Sequence, residues 1–293
     1  MERRTLLKSM LAVPVAVSAA DEPSGAAPAT GTLFSGLAGL DYALGGLEQG
    51  NLACIVGPPC MGKTLLLLEL ASRIVRRYGR DVVFYSAQKP SLYLAKKALL
   101  RNDVPVVFAG ENVGNSDSRK VGPTIQLFDS TGTDASAAFE LGIRLRLEHP
   151  SGCALVILDG WSTCAPKVAD SPPAGGEGFP AERWPHAPLS RHLLVSTKQF
   201  AQTARMPVVM GVTTASLVDE AAQVSSLGID LELRIAADRL LSLYRPAVYA
   251  ETAKLNVEQR NDVALTGTSP QWWDTRCSKL RFDPRRMGFE TAA

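Results

Sequence analysis

The sequence predicts an α/β fold in which helices cover both faces of a mostly parallel, twisted sheet. Three observations support this prediction. A strand leads through a glycine-rich loop directly into a helix at residues 52–79, apolar residues are continuous at 154–158, and strand-like and helix-like segments alternate between these two places. Strands that alternate with helices form parallel sheets, and a parallel strand covered on both faces is apolar along its whole length.

The alternating segments follow one another in a regular order. Strand-like DVVFYSAQ (81–88) precedes helix-like SLYLAKKALLRN (91–102), which is followed by strand-like PTIQLFDST (123–131), helix-like ASAAFELGIRLRLEH (135–149) and strand-like ALVILD (154–159). This order is typical of a parallel sheet wound with helices.

The glycine-rich loop has the spacing of a phosphate-binding P-loop, the Walker A motif. In such a loop successive backbone N–H groups point at a phosphate, and the N-terminus of the following helix adds partial positive charge. The lysine reaches the β- and γ-phosphates of ATP, and the hydroxyl that follows it binds Mg²⁺. The predicted nucleotide-binding residues are Gly57, Pro58, Pro59, Cys60, Met61, Gly62, Lys63 and Thr64.

Asp159 ends the apolar run at 154–159 and is the second candidate for the metal site. In open α/β sheets ligands bind at the carboxyl ends of the strands. We therefore expect Asp159 to orient water bound to Mg²⁺, with Thr64 as the other protein group at the metal.

Composition favours one domain in a reducing compartment. The chain has 293 residues, 46% of them hydrophobic, and a formal net charge of +2 that provides no overall attraction to nucleic acid. Its five cysteines form no CxxC pair, which argues against disulfides and zinc. We expect an ATPase domain at 33–290, with a flexible loop at 168–192 and a short tail at 291–293.

The N-terminal segment, residues 1–32, is open to two interpretations. Arg3 and Arg4 precede a short apolar run and Val17-Ser18-Ala19, a pattern that resembles a twin-arginine export signal. The other interpretation is an arm that packs on a neighbouring subunit. The run is too short to span a membrane, and because ATP-dependent chemistry belongs inside the cell, we expect a cytoplasmic protein.

The chain resembles the motor domain of DnaB-type replicative DNA helicases, a group of RecA-like ATPases, over roughly residues 33–290. The stretches that carry the resemblance are FSGLAGLDYALGGLEQGNL, FYSAQKP, TIQLFDSTGTDASA, LEHPSGCALVILDG, ARMPVVMGVTT, RIAADRLLSLYR, NVEQRND and LRFDPRRMGFE. The first of these stretches also resembles the RadA and KaiC ATPases.

The resemblance implies a RecA-like fold, ATP and Mg²⁺ as ligands, and a ring-shaped homo-oligomer such as a hexamer. It assigns Lys63 and Thr64 to phosphate and Mg²⁺, and Asp159 to the metal shell. It also makes Arg260 the arginine finger that reaches a neighbour's γ-phosphate, where it stabilises the charge that develops in phosphoryl transfer. The alternative for Arg260 is an ordinary surface arginine.

Three positions depart from the family pattern. Gln88 stands where the family has the glutamate that acts as general base, Thr213 replaces a glutamine that senses the γ-phosphate, and Glu258 replaces a second basic residue beside the finger. A glutamine can orient the attacking water but cannot accept its proton. If residues 258 and 260 share a strand, their side chains share a face, so Glu258 either pairs with Arg260 or supplies a neighbour with the missing carboxylate.

Single-stranded DNA and other replication proteins are candidate partners. The loops that face the channel in RecA-like rings follow Asp159 and Thr213. The first contains Arg183, Trp184, Arg191 and His192, which can bind a backbone and stack a base. The second has no Lys or Arg.

The sequence therefore leaves three functions open. The first is a helicase-like motor that hydrolyses ATP slowly on single-stranded DNA. The second is a non-catalytic module that binds ATP to hold an assembly together, and the third is an exported protein that uses the fold only as a scaffold.

Overall fold

A computed structural model describes residues 31–87, 93–94, 104–108, 122–129, 153–162, 187–188, 191–214, 231–249, 260–269 and 275–292. Several predictions fall outside these residues. They concern the segment 1–30, Gln88, Glu258, the helix at 135–149 and most of the helix at 91–102.

Among the described helices, one precedes the predicted glycine-rich loop, one follows it directly, and the others lie in the second half of the chain. They are α1 (Ala38–Leu44), α2 (Lys63–Tyr78), α3 (Arg191–Ala204), α4 (Leu231–Ala236) and α5 (Pro246–Tyr249). The longest of them, α2, consists mainly of Leu, Arg, Glu and Ala, which favour helices. It ends at Gly79, which has φ 58° and donates its backbone N–H to the Val75 carbonyl oxygen.

Most of the described strands form one large sheet. The strands are β1 (Thr32–Leu33), β2 (Leu47–Glu48), β3 (Leu52–Gly57), β4 (Val82–Ser86), β5 (Val106–Phe108), β6 (Ile125–Asp129), β7 (Leu155–Ser162), β8 (Ala187–Pro188), β9 (Val208–Thr213), β10 (Arg239–Tyr244), β11 (Asp262–Thr268), β12 (Arg276–Asp283) and β13 (Gly288–Thr291). Strands β1 and β2 pair with each other, apart from this sheet.

The large sheet has the order β13-β12-β11-β10-β3-β9-β7-β4-β6-β5, and β8 also pairs with β7. Pairing is parallel from β10 to β5 and antiparallel from β10 to β13. The predicted mostly parallel α/β fold is therefore confirmed. Parallel pairing also brings the carboxyl ends of β3, β9, β7 and β4 to one edge of the sheet.

Two hydrophobic clusters cover opposite faces of the sheet. Ala53 and Ile55 of β3 pack with α1 and α2 on one face, which we call the α2 face. Cys54 and Val56 of the same strand pack with α3 and α4 on the other, the α3 face. Because both faces are covered, β3 and β9 are buried at every position, which explains the continuous apolar runs in the sequence.

Asp159 is not the last residue of its strand, contrary to the expectation from the sequence. β7 continues to Ser162 through an irregularity in its pairing with β9, where Leu158 pairs with Met210 and Trp161 with Val212. Two residues, Asp159 and Gly160, thus lie opposite the single residue Gly211, and Gly160 has φ 100°. This bulge places Trp161 on the α3 face, opposite to the face that simple alternation would give it.

The proposed flexible loop at 168–192 contains regular structure near its end. Ala187 and Pro188 form β8, which pairs with Trp161 and Ser162, and Arg191 is the first residue of α3. The C-terminal end of the predicted loop therefore includes residues that belong to β8 and to the start of α3. The rest of the loop lies outside the described residues.

In the described part of the chain, no helix combines the length and the apolar character needed to cross a membrane.

Close packing of α1 on the antiparallel strands makes Gly267 sensitive to substitution. A Cβ at Gly267 would lie 1.9 Å from the Ala43 carbonyl oxygen of α1, and that oxygen belongs to backbone. We expect Gly267→Ala to lower the free energy of unfolding by about 3 kcal/mol, since overpacking forces the backbone to shift. Urea denaturation would measure this change.

The matched control is Thr266→Ala on the same strand, at a half-buried position, where a loss below about 1 kcal/mol is expected. Equal unfolding free energies of Gly267→Ala and wild type would contradict the close contact of α1 with β11.

Candidate nucleotide-binding site

The glycine-rich loop connects the carboxyl end of β3 to the first residue of α2. Pro58 and Met61 are buried, whereas Pro59 and Cys60 are exposed at the tip of the loop. The backbone curls through two residues with positive φ, Cys60 at 62° and Gly62 at 94°. Such a conformation is unusual for a cysteine, and it turns the backbone of the loop back toward the start of α2.

The Lys63 side chain lies inside this loop. Its ammonium group donates hydrogen bonds to the carbonyl oxygens of Gly57, at 2.8 Å, and Pro58, at 2.7 Å. Lys63 is 8% exposed. The lysine therefore spans the space enclosed by the loop, with its charge beside the backbone that would surround a phosphate.

Thr64 and Asp159 are in direct contact. The Thr64 hydroxyl donates a 2.7 Å hydrogen bond to Oδ2 of Asp159, and both residues are buried. The hydroxyl and the carboxylate come from the first turn of α2 and from the bulge of β7. The two predicted metal-binding residues thus lie together on the α2 face of the sheet.

Oxygen donors of this kind fit Mg²⁺. The described residues contain no group of three or more His, Cys, Asp or Glu side chains that could hold a metal ion by themselves. Mg²⁺ is usually bound through one or two protein oxygens together with phosphate oxygens and water. The pair of Thr64 and Asp159 beside a phosphate-binding loop is such a partial site.

The backbone of Asp159 is hydrogen-bonded to the segment that precedes Gln88. The Asp159 carbonyl oxygen accepts a 2.8 Å hydrogen bond from the N–H of Ala87, the residue that precedes Gln88. Gln88 itself lies outside the described residues.

Thr213 lies at the carboxyl end of β9, in register with Gly57 of β3. It is buried, and the alternation of β9, in which Val209 belongs to the α2 face, places Thr213 on that same face. The next residue, Thr214, donates its backbone N–H to the Gly57 carbonyl oxygen at 3.1 Å. Thr213 is therefore at the edge of the glycine-rich loop.

Arg245 and Phe282 form a further part of the site that the sequence analysis did not identify. The Arg245 guanidinium carbon lies 3.9 Å from the centre of the Phe282 ring. A Cβ on Gly62 would be 3.6 Å from an Arg245 terminal nitrogen, and the Arg245 backbone N–H donates to Met61 Sδ at 3.1 Å. Both contacts place the arginine against the loop.

The Arg245 guanidinium has no carboxylate within ion-pairing distance among the described residues. Its Nε is buried without a hydrogen-bond partner, and burial lowers the pKa of this group. The sequence did contain a signal, because Arg245 directly follows β10, whose carboxyl end is beside that of β3.

Arg260 is exposed in the turn that precedes β11. It does not lie on a strand, so the reason to expect the side chains at 258 and 260 on one face no longer holds. Glu258 lies outside the described residues. The turn is at the same edge of the sheet as Arg245, because the Asn261 carbonyl oxygen accepts a 2.8 Å hydrogen bond from the backbone N–H of Phe282.

Of the residues expected to contact DNA, Arg191 and His192 are the first two residues of α3, and the side chain of Arg191 is described. Its side chain is 79% exposed, and its Nε lies 3.8 Å from Oε1 of Glu232 on α4. Arg183 and Trp184 lie outside the described residues, and so does the second loop beyond Thr214.

Comparisons with known proteins agree with the resemblance stated above. The family described as "DnaB-like helicase C terminal domain" matches residues 32–111. The "Replicative DNA helicase DnaB" of Pasteurella multocida (strain Pm70) is 24% identical over 237 residues, which cover 75% of this chain and 48% of that protein. The "Probable replicative DNA helicase" of Trieres chinensis is 35% identical over 72 residues, 25% of this chain and 16% of that protein.

Two solved structures share the fold. One of them, described as an "ATPase Domain", has a TM-score of 0.63 at 18% identity, and the match covers 90% of this chain and 94% of that domain. The other, "The Structure Of A DnaB-Like Replicative Helicase And Its Interactions With Primase", has a TM-score of 0.59 at 17% identity, and the match covers 89% of this chain and 62% of that one.

The chain spans about half or less of the curated relatives it matches. The sequence and fold comparisons together confirm that this chain resembles the motor domain of DnaB-type helicases and has a RecA-like α/β fold.

Proposed function

We propose that this chain binds Mg²⁺–ATP at the glycine-rich loop and hydrolyses it slowly, as a helicase-like motor acting on single-stranded DNA. One observation carries the proposal: Lys63, Thr64 and Asp159 converge at the carboxyl edge of the parallel strands, with two hydrogen bonds from Lys63 to the loop and one from Thr64 to Asp159.

ATP binding requires Lys63 to exchange partners. In the structure its ammonium group is bonded to the carbonyl oxygens of Gly57 and Pro58. A triphosphate entering the loop offers anionic oxygens, and charge-assisted hydrogen bonds are roughly twice as strong as neutral ones. Lys63 would turn from the carbonyl oxygens to the β- and γ-phosphates, while the backbone N–H groups of the loop and α2 surround the phosphates.

Thr64 and Asp159 would hold Mg²⁺, which when bound neutralises charge on the β- and γ-phosphates. Thr64 would present its hydroxyl oxygen to the ion, and Asp159 would accept hydrogen bonds from water in the ion's shell. The proposal is supported by their 2.7 Å contact, because it brings the two oxygens to the same point.

Arg245 would extend the nucleotide site beyond the phosphates. A half-buried guanidinium without a carboxylate partner attracts an anion, because removing a charge from water is unfavourable unless an opposite charge replaces the water. The Phe282 ring, 3.9 Å from the guanidinium carbon, is itself buried in the core and holds the guanidinium beside the loop. The guanidinium is thereby positioned to contact a nucleotide next to Gly62.

Hydrolysis would be slow because Gln88 can orient the attacking water without removing its proton. The Thr213 side chain is shorter than that of the glutamine it replaces, so its contact with the γ-phosphate would be weaker. Arg260 would act on the site of an adjacent copy, which requires a ring-shaped homo-oligomer such as a hexamer. The resemblance also makes replication proteins candidate partners.

A second function is a module that binds ATP without turnover and holds an assembly together. The changes at positions 88 and 213 favour it, since they affect the base and the sensor but leave the glycine-rich loop intact. ATP turnover with and without single-stranded DNA separates the two functions. Turnover that DNA stimulates supports the motor, and tight binding without turnover supports the module.

Lys63→Ala tests the proposed phosphate site. The variant should weaken binding of a fluorescent ATP analogue in the presence of Mg²⁺ by at least about thirtyfold, because hydrogen bonds to charged groups contribute about 2 kcal/mol or more. Equilibrium titration followed by fluorescence anisotropy would measure it. Lys279→Ala, at an exposed position of β12, is the control and should bind as the wild type does. Equal affinities of Lys63→Ala and wild type would exclude the loop as the nucleotide site.

Gln88→Glu tests whether the missing base limits hydrolysis. We expect a turnover about 10²-fold or more above that of the wild type, because the carboxylate accepts the proton of the attacking water. Phosphate release with saturating Mg²⁺–ATP and single-stranded DNA would measure it. Gln202→Glu, at an exposed position of α3, is the control for the added charge. A rate that stays at the wild-type level supports the binding module.

Arg245→Met tests whether Arg245 contributes to nucleotide affinity and not to the stability of the fold. The free energy of unfolding without nucleotide should stay within about 1 kcal/mol of the wild type or rise, since the variant removes a half-buried charge and keeps apolar volume. Affinity for Mg²⁺–ATP should fall about tenfold, which corresponds to about 1.4 kcal/mol.

Chemical denaturation and nucleotide titration give the two quantities for Arg245→Met. The control is Arg276→Met, whose guanidinium carbon lies 5.8 Å from the centre of the Tyr42 ring, on α1. Undiminished nucleotide affinity of Arg245→Met would exclude Arg245 from the site.

A further inference from the structure

We propose that Gly211 is a positioning residue for Asp159: the absence of a side chain at position 211 allows the Asp159 carboxylate to face Thr64 and the metal. The inference rests on the proposed Mg²⁺ site, to which it adds a residue on β9. Gly211 lies in the interior of β9, where it pairs in register with Ile55 of β3.

The backbone of β9 does not itself require glycine at position 211. Gly211 is not among the glycines with positive φ, so alanine could adopt its conformation without strain. What excludes a side chain is space. A Cβ at position 211 would lie 2.9 Å from Oδ1 of Asp159 and 2.7 Å from Cδ1 of Leu67. Both distances are shorter than the closest approaches of real Cβ atoms, so each of the two contacts would have to be relieved by a shift.

The register of β7 on β9 explains why Gly211 meets the carboxylate. Leu158 pairs with Met210, so the next residues along the two parallel strands, Asp159 and Gly211, lie opposite each other, and the bulge adds Gly160 at the same place. The two oxygens of Asp159 then have different surroundings. Oδ2 accepts the hydrogen bond from Thr64, and Oδ1 lies 2.9 Å from the position that a Cβ on Gly211 would take.

Helix α2 borders the position that a Cβ on Gly211 would occupy, on the side of Leu67. Thr64 and Leu67 are three residues apart and so lie on one face of the helix. Leu67 is 0% exposed and Asp159 is 3% exposed. Leu67 packs inside a hydrophobic cluster, whereas Asp159 lies at the carboxyl edge of the parallel strands. An added methyl group therefore displaces the carboxylate more readily than the leucine, and a displaced carboxylate loses its alignment with Thr64.

Four proteins test the inference: wild type, Gly211→Ala, Leu67→Val, and the double variant. Leu67→Val removes the Cδ1 that a methyl group at position 211 would meet. The double variant therefore roughly conserves core volume and keeps only the contact with Asp159. This variant also tests the inference if Gly211→Ala alone does not fold.

The readout is the affinity for Mn²⁺, measured from free Mn²⁺ by electron paramagnetic resonance with saturating adenylyl imidodiphosphate. Gly211→Ala and the double variant should both bind Mn²⁺ about tenfold more weakly than the wild type, the usual effect of disturbing residues that orient a metal ligand. Leu67→Val should bind Mn²⁺ as the wild type does. Affinity for the nucleotide without metal should stay within about twofold in all four proteins, which a general loss of structure would not allow.

Two results would overturn the inference: wild-type Mn²⁺ affinity in Gly211→Ala, or restoration of wild-type affinity in the double variant. The second would show that Gly211 makes room for Leu67 and not for Asp159. If the wild type shows no nucleotide-dependent Mn²⁺ binding, or if Asp159→Asn leaves that binding unchanged, the proposed metal site fails and the inference fails with it.

Discussion

The hydrogen bond between the Thr64 hydroxyl and the Asp159 carboxylate is the constraint on which the site depends. It joins the first turn of α2 to the bulge of β7 across 95 positions of sequence. The bond can form only if β3, β9 and β7 are parallel and in register, with Gly57 beside Thr213 and Leu158 beside Met210. A shift of β7 by one residue would move Asp159 to the α3 face, where neither the loop nor α2 is present.

The parts of this arrangement that could be predicted from the sequence are those set by neighbouring residues. The spacing of Gly57, Gly62, Lys63 and Thr64 specifies the loop because each residue has a local role in it. Continuous apolar runs identified β3 and β7, since strands covered on both faces have no polar side. The order of strands and helices then gave the parallel sheet. For these elements the local sequence and the tertiary structure agree.

The remaining features depend on contacts between distant parts of the chain. Arg245 reaches the loop across 184 positions of sequence, as its bond to Met61 shows, and its place directly after β10 identifies it only once β10 is known to pair with β3. Gly211 resembles any other small residue in a buried strand until the register of β7 on β9 places Asp159 opposite it. The bulge itself was not predicted, because the apolar run 154–158 is equally compatible with a strand that ends at Asp159. Register and bulges are set by packing, which composition does not specify.

The two cations at the loop differ in how they are stabilised, and this difference affects what a nucleotide would do to the fold. When a nucleotide binds, Lys63 loses its hydrogen bonds to two carbonyl oxygens and makes contacts with phosphates. The loss of those hydrogen bonds offsets part of the binding free energy that the new contacts contribute. Arg245, with a buried Nε that has no hydrogen-bond partner, has much less to lose. A ligand that binds only the folded state stabilises it, and the stabilisation grows with the logarithm of the ligand concentration above its Kd. A nucleotide in contact with Lys63 and Arg245, and linked to Asp159 through Mg²⁺ and its water, would bridge α2, β7 and the end of β10. It would thus stabilise the packing between elements that are far apart in the sequence.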